Sequence, residues 1–178
     1  MSILKVARMG HPVLRAKARA VERADFKSAA FQKLIDDMFE TMKEYHGVGL
    51  AAPQVHERLR VFVAAVDEPP EGEEDRTPEP IAIINPEISV VGTDVVEDWE
   101  GCLSIPDIRG RVLRAREIKV RGMDRHGHRL ELHLQGFPAR VVQHETDHLD
   151  GVLFFDRMKS LETLTFLDEY SRYWRPDD

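Results

Sequence analysis

Cysteine is nearly absent: the 178 residues contain one, Cys102. No disulfide can form within the chain, which excludes a disulfide-stapled secreted scaffold and suits a reducing compartment. Long apolar runs are missing too. The longest, Val61 to Val66, is far below the roughly 20 residues that a membrane-spanning helix needs. The opening MSILKVARMG is cut by Lys5 and Arg8 before a signal-type apolar core can build up. These absences predict a cytoplasmic protein without a membrane partner. Positive charge is in short supply as well, with 25 Lys and Arg against 32 Asp and Glu and a net charge of −7. That sign is wrong for a surface built to neutralise the phosphates of duplex nucleic acid, so this partner class is set aside.

Hydrophobic residues make up 42% of the chain and charged residues 32%, a balance that predicts one folded domain over residues 1–178. The acidity is concentrated in 67–80 (DEPPEGEEDRTPEP), which is read as a solvated surface loop because it carries almost nothing apolar to bury. Between Ser28 and His46, Phe31, Leu34, Ile35, Met38, Phe39 and Met42 recur at spacings of three and four, which predicts an amphipathic helix stopped at Gly47. Short stretches rich in Val and Ile at 60–66, 81–84, 87–92, 111–123 and 128–134 predict strands, several paired as hairpins. A second helix is predicted from Phe137 to Leu149, with Pro138 in its first turn and Gly151 past its end. A third is predicted over Ser160 to Tyr173, within a C-terminal helix and tail spanning 159–178. The fold class is therefore α+β: an amphipathic N-terminal helix, then a strand-rich middle of short antiparallel or mixed sheets packed around a late helix.

That late helix contains His144-Glu145-Thr146-Asp147-His148. Residues four apart lie one turn above each other, so both imidazoles can meet one metal while Glu145 is displaced around the axis toward a bound water. A third ligand must come from elsewhere. The position ten residues after His144 is Phe154 rather than His, which excludes the metzincin pattern. Two candidates remain: Glu169 downstream, as in an HExxH metallopeptidase with Cys102 a bystander, and Cys102 itself in Glu100-Gly101-Cys102-Leu103-Ser104, since a thiolate suits zinc or ferrous iron. A third stretch, Gly47-Val48-Gly49-Leu50-Ala51-Ala52-Pro53-Gln54, has small residues that leave room for an extended backbone. It also offers an amide, on Gln54, able to donate to an oxyanion. A non-catalytic, metal-stabilised binding module is the alternative outside enzymology, although such a module has no need of Glu145 or Gln54.

Taken together, GVGLAAPQ at 47–54, EGCLS at 100–104 and HETDH at 144–148, followed by Leu149 and Gly151, resemble the three ordered motifs GxGLAAxQ, EGCxS and HExDH of the peptide deformylase family. The resemblance runs from Arg8 to about Phe155. It implies a metal-dependent hydrolase that removes the N-formyl group from the formylmethionine of newly made polypeptides and releases formate. It further implies one divalent metal on Cys102, His144 and His148, with water at the open position: ferrous iron in the cell, with zinc, nickel or cobalt as substitutes. Glu145 is then base and acid in turn. Gln54 and the Leu103 N–H meet the oxyanion charge. The peptide pairs with backbone at Val48 and Gly101, and Gly49, Glu100, Phe137, Val141 and the His144 ring line the methionine pocket, although core packing is an equal reading of Phe137 and Val141. Arg114 pairs with Glu100, and Asp147 supports the ligands from behind. The partners implied are N-formylmethionyl nascent peptides, with ribosome association, for a monomeric enzyme. His11, Trp99 and Arg140 are not the residues usual in the family.

Overall fold

A computed structural model describes residues 2–66 and 79–175. All of the acidic loop except Glu79 and Pro80 lies outside the described residues. The architecture is α+β with antiparallel sheets. Helix α1 (Ala29–Glu44) leads into β1 (Gly49–Ala51), β2 (Val61–Ala64), β3 (Ile81–Val90), β4 (Val95–Cys102), β5 (Ile105–Ala115), β6 (Glu117–Met123) and β7 (Arg129–Gln135). Helix α2 (Gly136–Leu149), the two-residue β8 (Thr165–Phe166) and α3 (Leu167–Tyr173) follow. One sheet has the order β1-β2-β3-β6-β7 and the other β4-β5-β8.

The stripe read along α1 buries Phe31, Ile35, Met38 and Met42 against Leu50, Val61, Val63 and Ile84 of the five-stranded sheet. At its end His46 takes a left-handed φ of 52° and the Gly47 N–H returns to the Met42 carbonyl, so the helix stops two residues earlier than its periodicity suggests. Helix α2 lies against the same sheet through Ala139, Val142 and Leu149, packed with Phe62, Ile83 and Val120. The N-terminal segment straps these parts together: Ser2 and Leu4 donate to Asp37 and Thr41 of α1, while Ala7 and Met9 donate to the carbonyls of Gln54 and Ser104. Among the described residues, no helix is long and apolar enough to cross a membrane.

Several strand boundaries differ from the sequence reading, each for a local reason. The stretches 81–84 and 87–92 form one bent strand. Asn85, at a φ of 50°, and Pro86, which has no N–H, make a bulge in place of a turn, and the Asn85 side chain bonds both backbone groups of Val21. The stretch 111–123 is two strands in different sheets, separated at Arg116, whose N–H goes to Asp94 and whose carbonyl receives Gly136. Strand β4 was not read at all, because VVEDWEGC is too charged for a core strand. The third helix is half its expected length: Thr163 accepts from the Arg111 N–H and Thr165 and Phe166 pair with Arg109 and Ile108, so the sheet edge captures the chain first.

Candidate active site

Three elements converge. The β1 strand ends in a tight turn at Ala52–Val55, where the Gln54 Oε1 accepts the Ala51 N–H (2.8 Å). This bond occupies the amide oxygen and aims Nε2 at Cys102 Sγ (3.5 Å) and Ser104 Oγ (3.2 Å). The second element is the β4–β5 hairpin. Its register breaks between Glu100 and Cys102, lifting Gly101 out of the ladder and turning Cys102 toward α2. The third is α2 itself, which carries His144, Glu145 and His148 on adjoining turns.

Cys102 Sγ lies 3.2 Å from His148 Nε2, and one donor atom each from Cys102, His144 and His148 fall within 4.8 Å of one another. His144 Nδ1 is engaged by Glu100 Oε2 (2.9 Å), leaving Nε2 as its free ring nitrogen. A thiolate and two imidazoles at this spacing fit a divalent metal. The same groups are strongly coupled electrostatically. Burial alone pushes the Cys102 thiol up and His144 down. The attraction between thiolate and imidazolium outweighs burial for both, so Cys102 is held well below the usual thiol range and His144 well above the usual imidazole range. Glu169, the rival ligand, sits on α3 beside Arg172 (3.4 Å) and is not part of this cluster.

Glu145 is 4% exposed, and its Oε2 has no hydrogen-bond partner. Burial raises its carboxyl to about 7, against the opposing pull of His144 and His148. A Cβ on Gly49 would run into this carboxylate, which is why that position is glycine. Of the site residues named from the sequence, all but His148 border a single cleft of about 770 Å³. The cleft thus brings the 47–54 turn, the Glu100–Leu103 corner of the hairpin and the Phe137–Glu145 face of α2 around one space. Phe137 is exposed and Val141 buried.

Behind the Cys102, His144 and His148 cluster lies a buried ionic network. Arg114 holds both oxygens of Glu100 (2.8 and 3.0 Å) and reaches Asp147 (2.5 Å), which Arg157 also grips (2.7 Å). Glu100 is held well below the usual carboxylate range, because His144 and Arg114 outweigh its burial. Contacts thus run from Asp147 through Arg114 and Glu100 to His144, whereas Asp150 pairs at the surface with Arg60. Sequence reasoning marked Arg140 only as unusual. It is 6% exposed and donates to Glu100 (2.8 Å), Val112 O (3.0 Å) and Val96 O (2.7 Å), tying α2 to both strands of the hairpin. Its spacing was the available signal, since 140, 144 and 148 stack on one helical face.

A helical H-E-x-x-H pair facing a thiolate, with a partnerless buried carboxylate between them at the edge of a cleft, defines a metal-dependent amide hydrolase. The family model described as polypeptide deformylase matches residues 3–164. The chain is 46% identical over 164 residues to peptide deformylase 2 of Nostoc sp., covering 92% of this chain and 90% of that one. A class I type b peptide deformylase from Acinetobacter baumannii, crystallised with Met-Ala-Ser, superposes with a TM-score of 0.80 at 41% identity, covering 89% of this chain and all of that one. Peptide deformylase of Thermotoga maritima gives 0.80 at 40% identity, over 90% of this chain and all of that one. The chain belongs to the polypeptide deformylase family. It is a hydrolase that removes the formyl group from N-terminal formylmethionine, with the metal dependence general to that family.

Proposed function

We propose that Cys102, His144 and His148 hold one divalent metal and that Glu145, Gln54 and Leu103 carry out the deformylation around it. When bound, the metal supplies Lewis acidity toward the formyl carbonyl and lowers the pKa of a water. Glu145 takes a proton from the attacking water and passes one to the methionine nitrogen as the C–N bond breaks, so that formate and a free amino terminus leave. The Gln54 Nε2 and the Leu103 N–H donate to the formyl oxygen as charge gathers on it. The observation that carries this reading is Glu145: buried, without a hydrogen-bond partner on Oε2, packed against Gly49 where no side chain intervenes, and bordering the cleft.

The peptide lies extended and pairs with backbone at Val48 and Gly101, a path supported by the loss of ladder register at Gly101. The methionine side chain sits among Gly49, Glu100, Phe137, Val141 and His144, which border one cleft. Ferrous iron is the metal assigned in the cell, with zinc, nickel and cobalt as substitutes, in keeping with a donor set of one thiolate and two imidazoles. The chain acts as a single cytoplasmic domain and a monomer, on nascent chains at the ribosome.

The test is formate release from formyl-Met-Ala-Ser under anaerobic conditions, with metal analysis of the same samples. The native protein is expected to bind one metal and lose turnover to a chelator, with air inactivating the iron form through metal and thiolate oxidation. Cys102→Ala is expected to lose the metal and Glu169→Ala to keep it; the reverse pattern would overturn the ligand assignment.

A further inference from the structure

The family match ends at residue 164, yet the chain folds back onto the active-site hairpin immediately beyond that point. Thr165 and Phe166 add a short antiparallel strand to β5 opposite Arg109 and Ile108. Helix α3 then begins at Leu167. Leu167, Tyr170 and Trp174 are spaced three and four apart and so share one face. That face rests on Trp99 of β4: the rings of Tyr170 and Trp99 meet edge-on with centroids 4.9 Å apart, and Trp174 lies 5.8 Å away. Arg111, opposite Trp99 in the ladder, places its guanidinium 5.6 Å from the Trp99 ring centroid. Trp99 and Leu167 both border the cleft that holds Cys102 and Glu145.

We infer that Trp99 and Leu167, held in place by Tyr170 and Trp174, form an outer wall that binds bulky apolar or aromatic side chains on the substrate residues following the formylmethionine. The inference rests on the peptide path past Gly101 proposed above. Trp99 is two residues from Gly101 on the same strand, so a chain paired there runs along this wall. The cleft is continuous from the catalytic carboxylate to Leu167, which identifies the occupant as the same substrate and not a separate partner. The Arg109 guanidinium fills the place a Cβ on Gly101 would take and also borders the cleft, and a planar guanidinium stacks well on an aromatic ring. Trp99 stands just before the EGCLS motif and only Leu167 and its helix lie beyond the family match, so the wall joins a strand of the matched region to the C-terminal segment.

The experiment compares kcat and KM of the metal-loaded enzyme for formyl-Met-Leu-Phe and formyl-Met-Ala-Ser. The native protein is expected to favour the Leu-Phe peptide through KM. In Leu167→Ala and Trp99→Ala the ratio of the two kcat/KM values is expected to fall by roughly tenfold, the scale of a lost apolar subsite contact, with the change in KM. Leu161→Ala, an exposed leucine of the same C-terminal segment that does not border the cleft, is expected to keep the native ratio. An unchanged ratio in both wall variants, or an equal loss of kcat on both peptides, would overturn the inference and leave the segment a purely structural role. Val48→Pro, which removes a backbone N–H on the opposite side of the path, separates the two claims. If neither peptide is affected by it, the path is wrong; if both suffer alike while the Leu167 ratio falls, path and wall both stand.

Discussion

Helices α1 and α2 are similar in length and both lie on the five-stranded sheet, yet they bury opposite kinds of surface. Helix α1 buries Phe31, Ile35, Met38 and Met42, with Asp37 and Thr41 as its buried polar groups, and both of these bond the N-terminal strap. Helix α2 buries Arg140, Glu145, Asp147 and His148 alongside its apolar residues. Arg140 and Asp147 are fully engaged by partners, whereas Glu145 Oε2 and His148 Nδ1 are not. Buried polar atoms cost free energy unless they are satisfied. The contrast therefore separates a helix that stabilises the fold from one whose stability is given up for chemistry.

The sharpest break of that contrast is Glu145→Ala. It should keep the metal and lower kcat by about 10³- to 10⁴-fold, the upper range for general acid–base help, while thermal stability holds or rises because a buried partnerless carboxylate is gone. Formate assay, metal content and melting temperature measured together check it; loss of metal would show that Glu145 is a ligand. Next in size is Arg114→Met, which leaves Glu100 and Asp147 with one counter-charge fewer. It should destabilise by about 3–5 kcal/mol, as when one member of a buried ion pair is removed, and should weaken metal binding as His144 loses its support. Denaturant unfolding and metal titration read the two effects.

On the other helix, Ile35→Ala should cost about 3 kcal/mol of stability, within the range for large-to-small core changes, with kcat unchanged in the folded fraction. A large fall in kcat there would erase the division between the helices. The smallest effect is Asp37→Asn. The Lys33 ammonium, with help from the Ser2 N–H and against burial, holds Asp37 below its ordinary value of 3.8. A depressed folded pKa contributes stability above the unfolded pKa and loses it as pH falls through the folded one. The variant should therefore be less stable than the native chain by about 1 kcal/mol at neutral pH, and the gap should close as pH drops below about 4. A gap independent of pH would show that the carboxylate charge is immaterial.

Much of this molecule was legible in the chain. Periodicity located α1 because its apolar face is repeated every three to four residues, and Pro138 and Gly151 bracketed α2; both signals are local. The three motifs identified the family, and the spacing of His144 and His148 already placed two imidazoles on one turn. Residues whose role depends on a distant partner were harder. Arg140 looked misplaced on a helix until Glu100, Val96 and Val112 came to meet it from two other strands. Strand β4 could not be read because its outward face is charged and its pairing with β5 is what makes it a strand. The sequence reading takes 160–173 as one helix, twice the length of α3. The free edge of β5 competed for the same backbone and took Thr165 and Phe166. The choice between Cys102 and Glu169 beside the histidines was likewise open in sequence, since both residue types bind metals. The hairpin carries Cys102 to within 3.2 Å of His148, and the packing of that hairpin against α2 is what puts Cys102, and not Glu169, in the cluster. Sequence by itself determined the local periodicities and the chemical types available; tertiary structure decided which of them meet, because a contact between residues tens of positions apart is set by how whole elements pack.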